Sequence, residues 1–172
     1  MGSRRRAREM ALQVLCVLDR QPDLSAEQGL YLFFKHLVGS ELEEVPPRQA
    51  AVEREAYEEQ RRFAETLVLG VRHELESVDR LLGQCSRNWR LERMSWVDRN
   101  LLRLAAYELR DREETPARVV LNEAIEIARR YSTSESSGFV NGVLDRVMSE
   151  LGRRDSTSLP SLDSQEHAAE PQ

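Results

Sequence analysis

Apolar residues recur at helical spacing along almost the whole chain. Ala7, Ala11, Val14, Leu15 and Leu18 fall on one face of a first helix that runs from about Ser3 to Arg20, with Ser3 in position to cap it. Pro22 ends that segment. Ser25 and Gln28 stand three apart, the spacing at which each side chain reaches the other's backbone N–H. They predict the start of a second helix carrying Leu30, Phe33, Phe34 and Leu37 to about Val38. Residues from Gly39 to about Gln49, with Pro46-Pro47, predict a polar connection. A long periodic stretch follows through Phe63, Leu67, Val71, Leu75, Val78 and Leu82, with a bend expected near Gly70.

Gly83 to Met94 includes a turn, and Ser95 with Asp98 caps a helix whose Val97, Leu101, Leu104, Ala105 and Leu109 point inward. Thr115 and Pro116 read as N-cap and first helical residue of another, which buries Val119, Val120, Ala124, Ile127 and Ala128. A last helix spans about Glu135 to Leu151. No strand alternation competes with this pattern, so the fold class expected is all-α.

The division into domains follows from where the apolar spacing stops. Residues 1–154 form one helical domain, and 155–172 turn to Ser, Pro, Gln and acids, too poor in apolar residues to build a core and expected to be a disordered tail. A chain of 172 residues with 40% hydrophobic residues suits one sizeable core. Cys16 and Cys85 are too few and too far apart for a disulfide scaffold or a zinc knuckle, which fits a reduced, cytoplasmic setting. His36, His73 and His167 have no metal-type spacing. A Cys85–His73 nucleophile pair is the nearest approach to a catalytic constellation, and no Gly-rich or oxyanion-type motif accompanies it. No apolar run reaches the roughly 20 residues of a membrane span.

Charge changes the picture more than composition does. The net charge is −5, yet Arg4, Arg5, Arg6 and Arg8 crowd the first turns. Residues 41–59 form an acidic insert of net −5, and 155–172 carry four acids and no base, so the remainder is mildly basic. With 24 Arg against the single Lys35, arginine abundance is a bias of the whole chain, and the clustering at one helix end is the informative part. Guanidinium forks pair with phosphate in a planar, two-pronged geometry. Positive charge at a helix N-terminus opposes the helix dipole, a placement easier to understand if an anion binds there.

The second half adds specific words. Val78-Asp79-Arg80-Leu81-Leu82 leads to Asn88-Trp89-Arg90-Leu91-Glu92-Arg93, and then to Val97-Asp98-Arg99-Asn100-Leu101-Leu102-Arg103-Leu104-Ala105-Ala106-Tyr107-Glu108-Leu109. Thr115-Pro116, Asn122-Glu123-Ala124-Ile125-Glu126-Ile127-Ala128 and Phe139-Val140-Asn141-Gly142-Val143-Leu144-Asp145 come next. Together with Arg5-Arg6-Ala7-Arg8-Glu9, their order and spacing over residues 3–151 strongly resemble the bacterial transcription antitermination factor family NusB.

The resemblance implies a compact bundle of about seven helices, no catalysis and no cofactor. It implies binding of boxA-type single-stranded RNA of ribosomal RNA operons together with the small-subunit ribosomal protein NusE, and through that complex an indirect link to RNA polymerase and other Nus factors. It assigns RNA-backbone contact to Arg4, Arg5, Arg6 and Arg8, base stacking to Phe139, and partner contact to Glu92 and Asp98. Arg99 and Arg103, one turn apart, could extend the basic track toward Arg110, or serve surface salt bridges with acids such as Asp98 and Glu108. Arg87, Arg90 and Arg93 surround Trp89, a mixture suited to RNA stacking or, preferably, to a helix corner. Asn122, Glu123, Asn141 and Asp145 read as structural groups satisfying helix ends. The aromatic partner contact of the family's first helix is Cys16 here. Two other classes remain open from sequence: an RNA-binding module related to ribosomal RNA methyltransferases, and a helical adaptor without RNA binding. Homodimerisation is a further possibility that the sequence leaves open.

Overall fold

The computed structural model describes residues 2–41, 47–86 and 90–153, side chains at 37–41 and 47–52 excepted. Seven α-helices account for nearly all of them: α1 (Ser3–Arg20), α2 (Ala26–Glu41), α3 (Pro47–His73), α4 (Leu75–Cys85), α5 (Trp96–Asp111), α6 (Ala117–Tyr131) and α7 (Ser136–Glu150). A single 3-10 turn, Leu91–Arg93, leads into α5. There is no strand among the described residues. The tail 155–172 and the Arg87–Trp89 group lie outside them, as do residues 42–46 of the acidic insert.

Helix α5 is the central element. Ten consecutive residues, Asn100 to Leu109, are buried, and α1, α3, α4, α6 and α7 all pack on it. Such all-round burial explains why its sequence is apolar on more than one face. Helix α1 lies between α3 and α5, with Ala7, Ala11, Val14, Leu15 and Leu18 in the core as its spacing predicts.

The local signals decide the ends they control. Ser25 N–H donates to Gln28 Oε1 at 2.9 Å and Gln28 N–H to Ser25 Oγ at 3.2 Å, a complete capping box at the head of α2. Ser95 Oγ accepts from Asp98 N–H at 3.1 Å at the head of α5.

Other boundaries differ from the sequence reading. The N-cap of α1 is Gly2, and Ser3 is already helical. Helix α6 is capped by Pro116, one residue later than expected, and Val119 on its outer face is exposed. Helices α2 and α3 extend into both ends of the expected 39–49 connection. Pro47 is the first residue of α3, where a missing N–H costs no intrahelical bond.

The long stretch bends elsewhere than at Gly70. It divides into α3 and α4 at Glu74, while Gly70 continues inside α3. A Cβ at residue 70 would stand 2.1 Å from the ring of Tyr107, so the glycine serves close approach of α3 to α5. Helix propensity alone favours Gly70→Ala by about 1 kcal/mol. The collision dominates instead, and the substitution is expected to destabilise by about 1–3 kcal/mol. A thermal melt of Gly70→Ala checks the sign.

Candidate nucleic-acid interface

The arginine-rich turn divides into outward and inward members. The first turn of α1 contains no acid of its own, so carboxylates from elsewhere meet the four guanidiniums. Arg4 is the outermost: its side chain is 58% exposed, its guanidinium lies 4.2 Å over the Phe63 ring of α3, and Glu59 stands 3.7 Å away. Arg5 makes a two-pronged pair with Glu123 of α6, at 2.8 and 2.9 Å. That hydrogen bond raises the guanidinium's pKa and holds the Glu123 carboxyl below its ordinary range. Glu123, expected to satisfy a helix end, instead ties α1 to α6 from within α6.

Arg6 approaches Glu9 at 3.7 Å and keeps 31% of its side chain exposed. Arg8 points the other way. Its side chain is 6% exposed and its fork closes on Glu108 of α5, itself 1% exposed, through two bonds of 2.7 Å. Of the four arginines expected at the RNA backbone, Arg8 is enclosed between α1 and α5.

Arg99 and Arg103 do not form an open track toward Arg110. Arg99 donates to Asp19 Oδ2 and to the Leu91 carbonyl, each at 3.1 Å, and Arg103 makes a two-pronged 2.7 Å pair with Asp79 while reaching Asp19 at 3.0 Å. Asn100 completes the cluster, donating to Asp19 at 3.1 Å and to the Trp96 carbonyl at 2.9 Å. Arg110 turns to Glu74, Ser77 and Asp111. The salt-bridging alternative describes these arginines, with acids from α1 and α4 in place of the Asp98 and Glu108 expected. The reason is the central position of α5: its arginines face packed helices.

Burial alone would raise the Asp19 carboxyl, but hydrogen bonds from Arg99, Arg103 and Asn100 outweigh it, and the group lies below its ordinary range. A depressed carboxyl binds its proton more weakly in the folded than in the unfolded state. Its stabilisation is complete above an unfolded value of about 3.9 and is lost as pH falls through the folded value. Melting temperature is expected to drop on acidification below about pH 4, and less steeply in Asp19→Asn, whose melt at neutral pH is already lower.

Asp98 is half-buried, and both its oxygens serve the fold. Oδ1 accepts from Ser132 Oγ at 2.7 Å, and Oδ2 from Ser95 Oγ at 2.8 Å and Ser136 Oγ at 3.1 Å. The carboxylate joins the head of α5 to the α6–α7 corner and fixes the first turn of α7. Phe139 follows one turn later, half-buried, with part of its ring packed on the core. Glu92 is exposed on the 3-10 turn, flanked by exposed Arg90 and Arg93.

Cys16 donates its thiol to the Trp96 carbonyl at 3.6 Å, beside a half-exposed Trp96 ring that Arg20 covers at 4.3 Å. Burial, then the Asp19 charge, push the thiol up to about 11. It remains protonated at neutral pH and is a poor nucleophile. His73 ends α3 and Cys85 ends α4, so the 11 residues of α4, about 16 Å of helix at roughly 1.5 Å per residue, separate the one nucleophile pair considered. Among the described residues no group of three His, Cys, Asp or Glu is arranged to hold a metal, and no helix is long and apolar enough to cross a membrane.

Sequence reasoning missed Phe63, Glu9 and Arg130 as parts of this surface. Phe63 gathers Arg4, Arg8 and Arg112 around its ring, at 4.2, 5.5 and 5.7 Å. Its spacing marked it only as core. Glu9 is buried to 1% and takes Arg130 of α6 at 3.0 Å. The i,i+3 relation of Arg6 and Glu9 was the available signal, whereas nothing local links Glu9 to Arg130.

The NusB family pattern matches residues 5–149. A transcription antitermination protein NusB from Sorangium cellulosum is 42% identical over 155 residues, which cover 90% of this chain and 98% of that one. The structure of NusB from T. maritima superposes with a TM-score of 0.67 at 35% identity, covering 86% of this chain and 91% of the other. A crystal structure of antitermination factors NusB and NusE in complex with dsRNA shares the fold, with a TM-score of 0.66 at 23% identity, over 87% of this chain and 98% of its counterpart. A family match across nearly all of the helical region, a close relative matched along almost its whole length and the shared seven-helix fold lead to one conclusion: this chain belongs to the NusB family of transcription antitermination proteins.

Proposed function

We propose that this protein binds boxA-type single-stranded RNA of ribosomal RNA operons through the head of α1 and the first turns of α7, and does so together with NusE. Engagement of RNA polymerase and the other Nus factors then follows indirectly, through that complex in the cytoplasm. The observation that carries the reading is the division of labour in the arginine cluster. Arg8, closed on Glu108, seats α1 in the core, while Arg4 keeps more than half of its side chain exposed on the anchored helix and Arg5 and Arg6 about a third of theirs. Guanidinium–phosphate contacts give affinity and salt dependence with little sequence readout. Sequence preference requires contact with unpaired bases, for which half-exposed Phe139 supplies a stacking face.

Membership of the family supports this reading, and the NusB–NusE–dsRNA complex that shares the fold supports its coarser part, RNA binding together with NusE. Exposed Glu92 is the partner-facing carboxylate, suited to orient a basic ribosomal protein. Asp98 acts behind it by holding the corner on which α7 begins. No chemical step is assigned to any residue.

The test is photocrosslinking of a boxA-type oligomer carrying 4-thiouridine, followed by peptide mapping. Crosslinks at residues 3–9 and at the first turns of α7 are expected. Crosslinks confined to α2 or α4 would contradict the proposed path.

A further inference from the structure

The buried carboxylate of Glu9 holds two arginines from different helices. Its Oε1 takes Arg130 at 3.0 Å and its Oε2 faces Arg6 at 3.7 Å. Glu9 itself is 1% exposed, whereas the Arg130 side chain is 51% exposed and that of Arg6 31%. The carboxylate therefore lies beneath and the two guanidiniums above it. Tyr131 lies alongside: Arg130 stacks 5.4 Å from its ring centroid, and burial together with Glu9 raises its hydroxyl pKa, so that it adds no negative charge there. The chain then runs from Tyr131 through Ser132 to Ser136, both bound to Asp98, and on to Phe139.

We propose that Arg130 is a further RNA-backbone contact, presented beside Arg6 across Glu9, so that one phosphate track runs from α1 over the end of α6 to the start of α7. The inference rests on the RNA-binding reading and adds a residue from a second helix to it. Three features favour this role over a solely structural one. Only half of the side chain is covered, so the ion pair leaves the guanidinium accessible. An arginine already held in place loses less conformational freedom on meeting a phosphate than a free one. The position between Arg6 and the α6–α7 corner closes the gap between the basic turn and the aromatic. The adjacent Arg129 supplies an internal control: it is equally basic, also exposed, and pairs with Glu126 of its own helix at 2.6 Å.

The experiment measures anisotropy of a labelled boxA-type oligomer and a scrambled oligomer against salt, for the parent, Arg130→Ala, Arg130→Lys, Arg129→Ala and Arg4→Ala/Arg6→Ala. Arg130→Ala is expected to weaken both oligomers alike by about tenfold and to reduce the slope of log affinity against log salt by about one. Arg130→Lys is expected to retain the slope and lose part of the affinity, and Arg129→Ala to behave as the parent. A lowered melting temperature for Arg130→Ala with parental affinity and slope would overturn the proposal, because a purely structural residue behaves that way. Loss of binding in Arg4→Ala/Arg6→Ala with none in Arg130→Ala would overturn this inference alone. Failure of the parent to bind either oligomer would overturn the RNA reading with it.

Discussion

Arg8→Ala is expected to lower stability by about 3–5 kcal/mol, the largest single effect in the molecule. The variant removes the two-pronged partner of Glu108, whose side chain is 1% exposed in the last turn of the central helix. Leaving a carboxylate buried without its countercharge is costly. For a domain of this size the loss corresponds to a fall in melting temperature of roughly 10 °C or more. Replacing both partners by apolar residues of similar volume, as in Arg8→Met with Glu108→Leu, removes the buried charges together and is expected to recover most of the stability. The double variant also separates two roles. If Arg8 only seats α1, it binds RNA as the parent does once folded. A folded double variant with strongly weakened RNA binding would place Arg8 at the RNA after all.

The second large effect concerns binding. Arg4→Ala with Arg6→Ala is expected to weaken boxA-type RNA on the order of 100-fold at moderate salt while leaving the melting temperature nearly unchanged. Charge-assisted contacts are worth about 1.5–3 kcal/mol each, and each 1.4 kcal/mol is tenfold. The pairs they make at home are weak by comparison: Arg4 meets Glu59 at 3.7 Å with both side chains more than half exposed, and Arg6 meets Glu9 at the same distance. The exposed Arg4–Glu59 pair contributes little to stability, and the buried Glu9 carboxylate keeps its shorter 3.0 Å pair with Arg130 when Arg6 is removed. Anisotropy and a thermal melt on one preparation check both halves. Parental RNA affinity in the double variant would remove the basic turn from the interface.

Arg4 and Arg8 show where sequence reading reaches and where it stops. Both are arginines in one basic run, yet one is exposed and the other enclosed. The periodicity contained part of the answer, because Arg8 stands one turn before Leu12 and two before Leu15, both buried. The partner that makes burial tolerable, Glu108, lies 100 residues away, and no local pattern connects them. Helix caps behave oppositely. Ser25 with Gln28, and Ser95 with Asp98, complete their geometry within four residues, so the helix starts were legible.

Gly70 was legible as a special position and misread as a bend, since the ring of Tyr107 that requires it comes from another helix. For Arg99 and Arg103 the salt-bridging alternative holds, but its partners were not legible for the same reason: Asp19 and Asp79 reach them from α1 and α4. Asp98 was seen as a cap and as a partner contact, and its bonds to Ser132 and Ser136 add a third role that only the folded corner reveals. What the chain spacing determines is therefore the helices and their inward faces. Which charged residues remain outside is determined by tertiary pairing.

We propose that a seven-helix scaffold anchored by Arg8 presents an arginine track and an aromatic to single-stranded RNA, with NusE as co-binder. The measurement that tests it most directly is the affinity of the intact protein for a boxA-type oligomer and a scrambled control, by fluorescence anisotropy with and without NusE. Tight binding that prefers the boxA-type sequence and strengthens when NusE is added is the predicted result. Equal affinity for the two oligomers, unchanged by NusE, would contradict it.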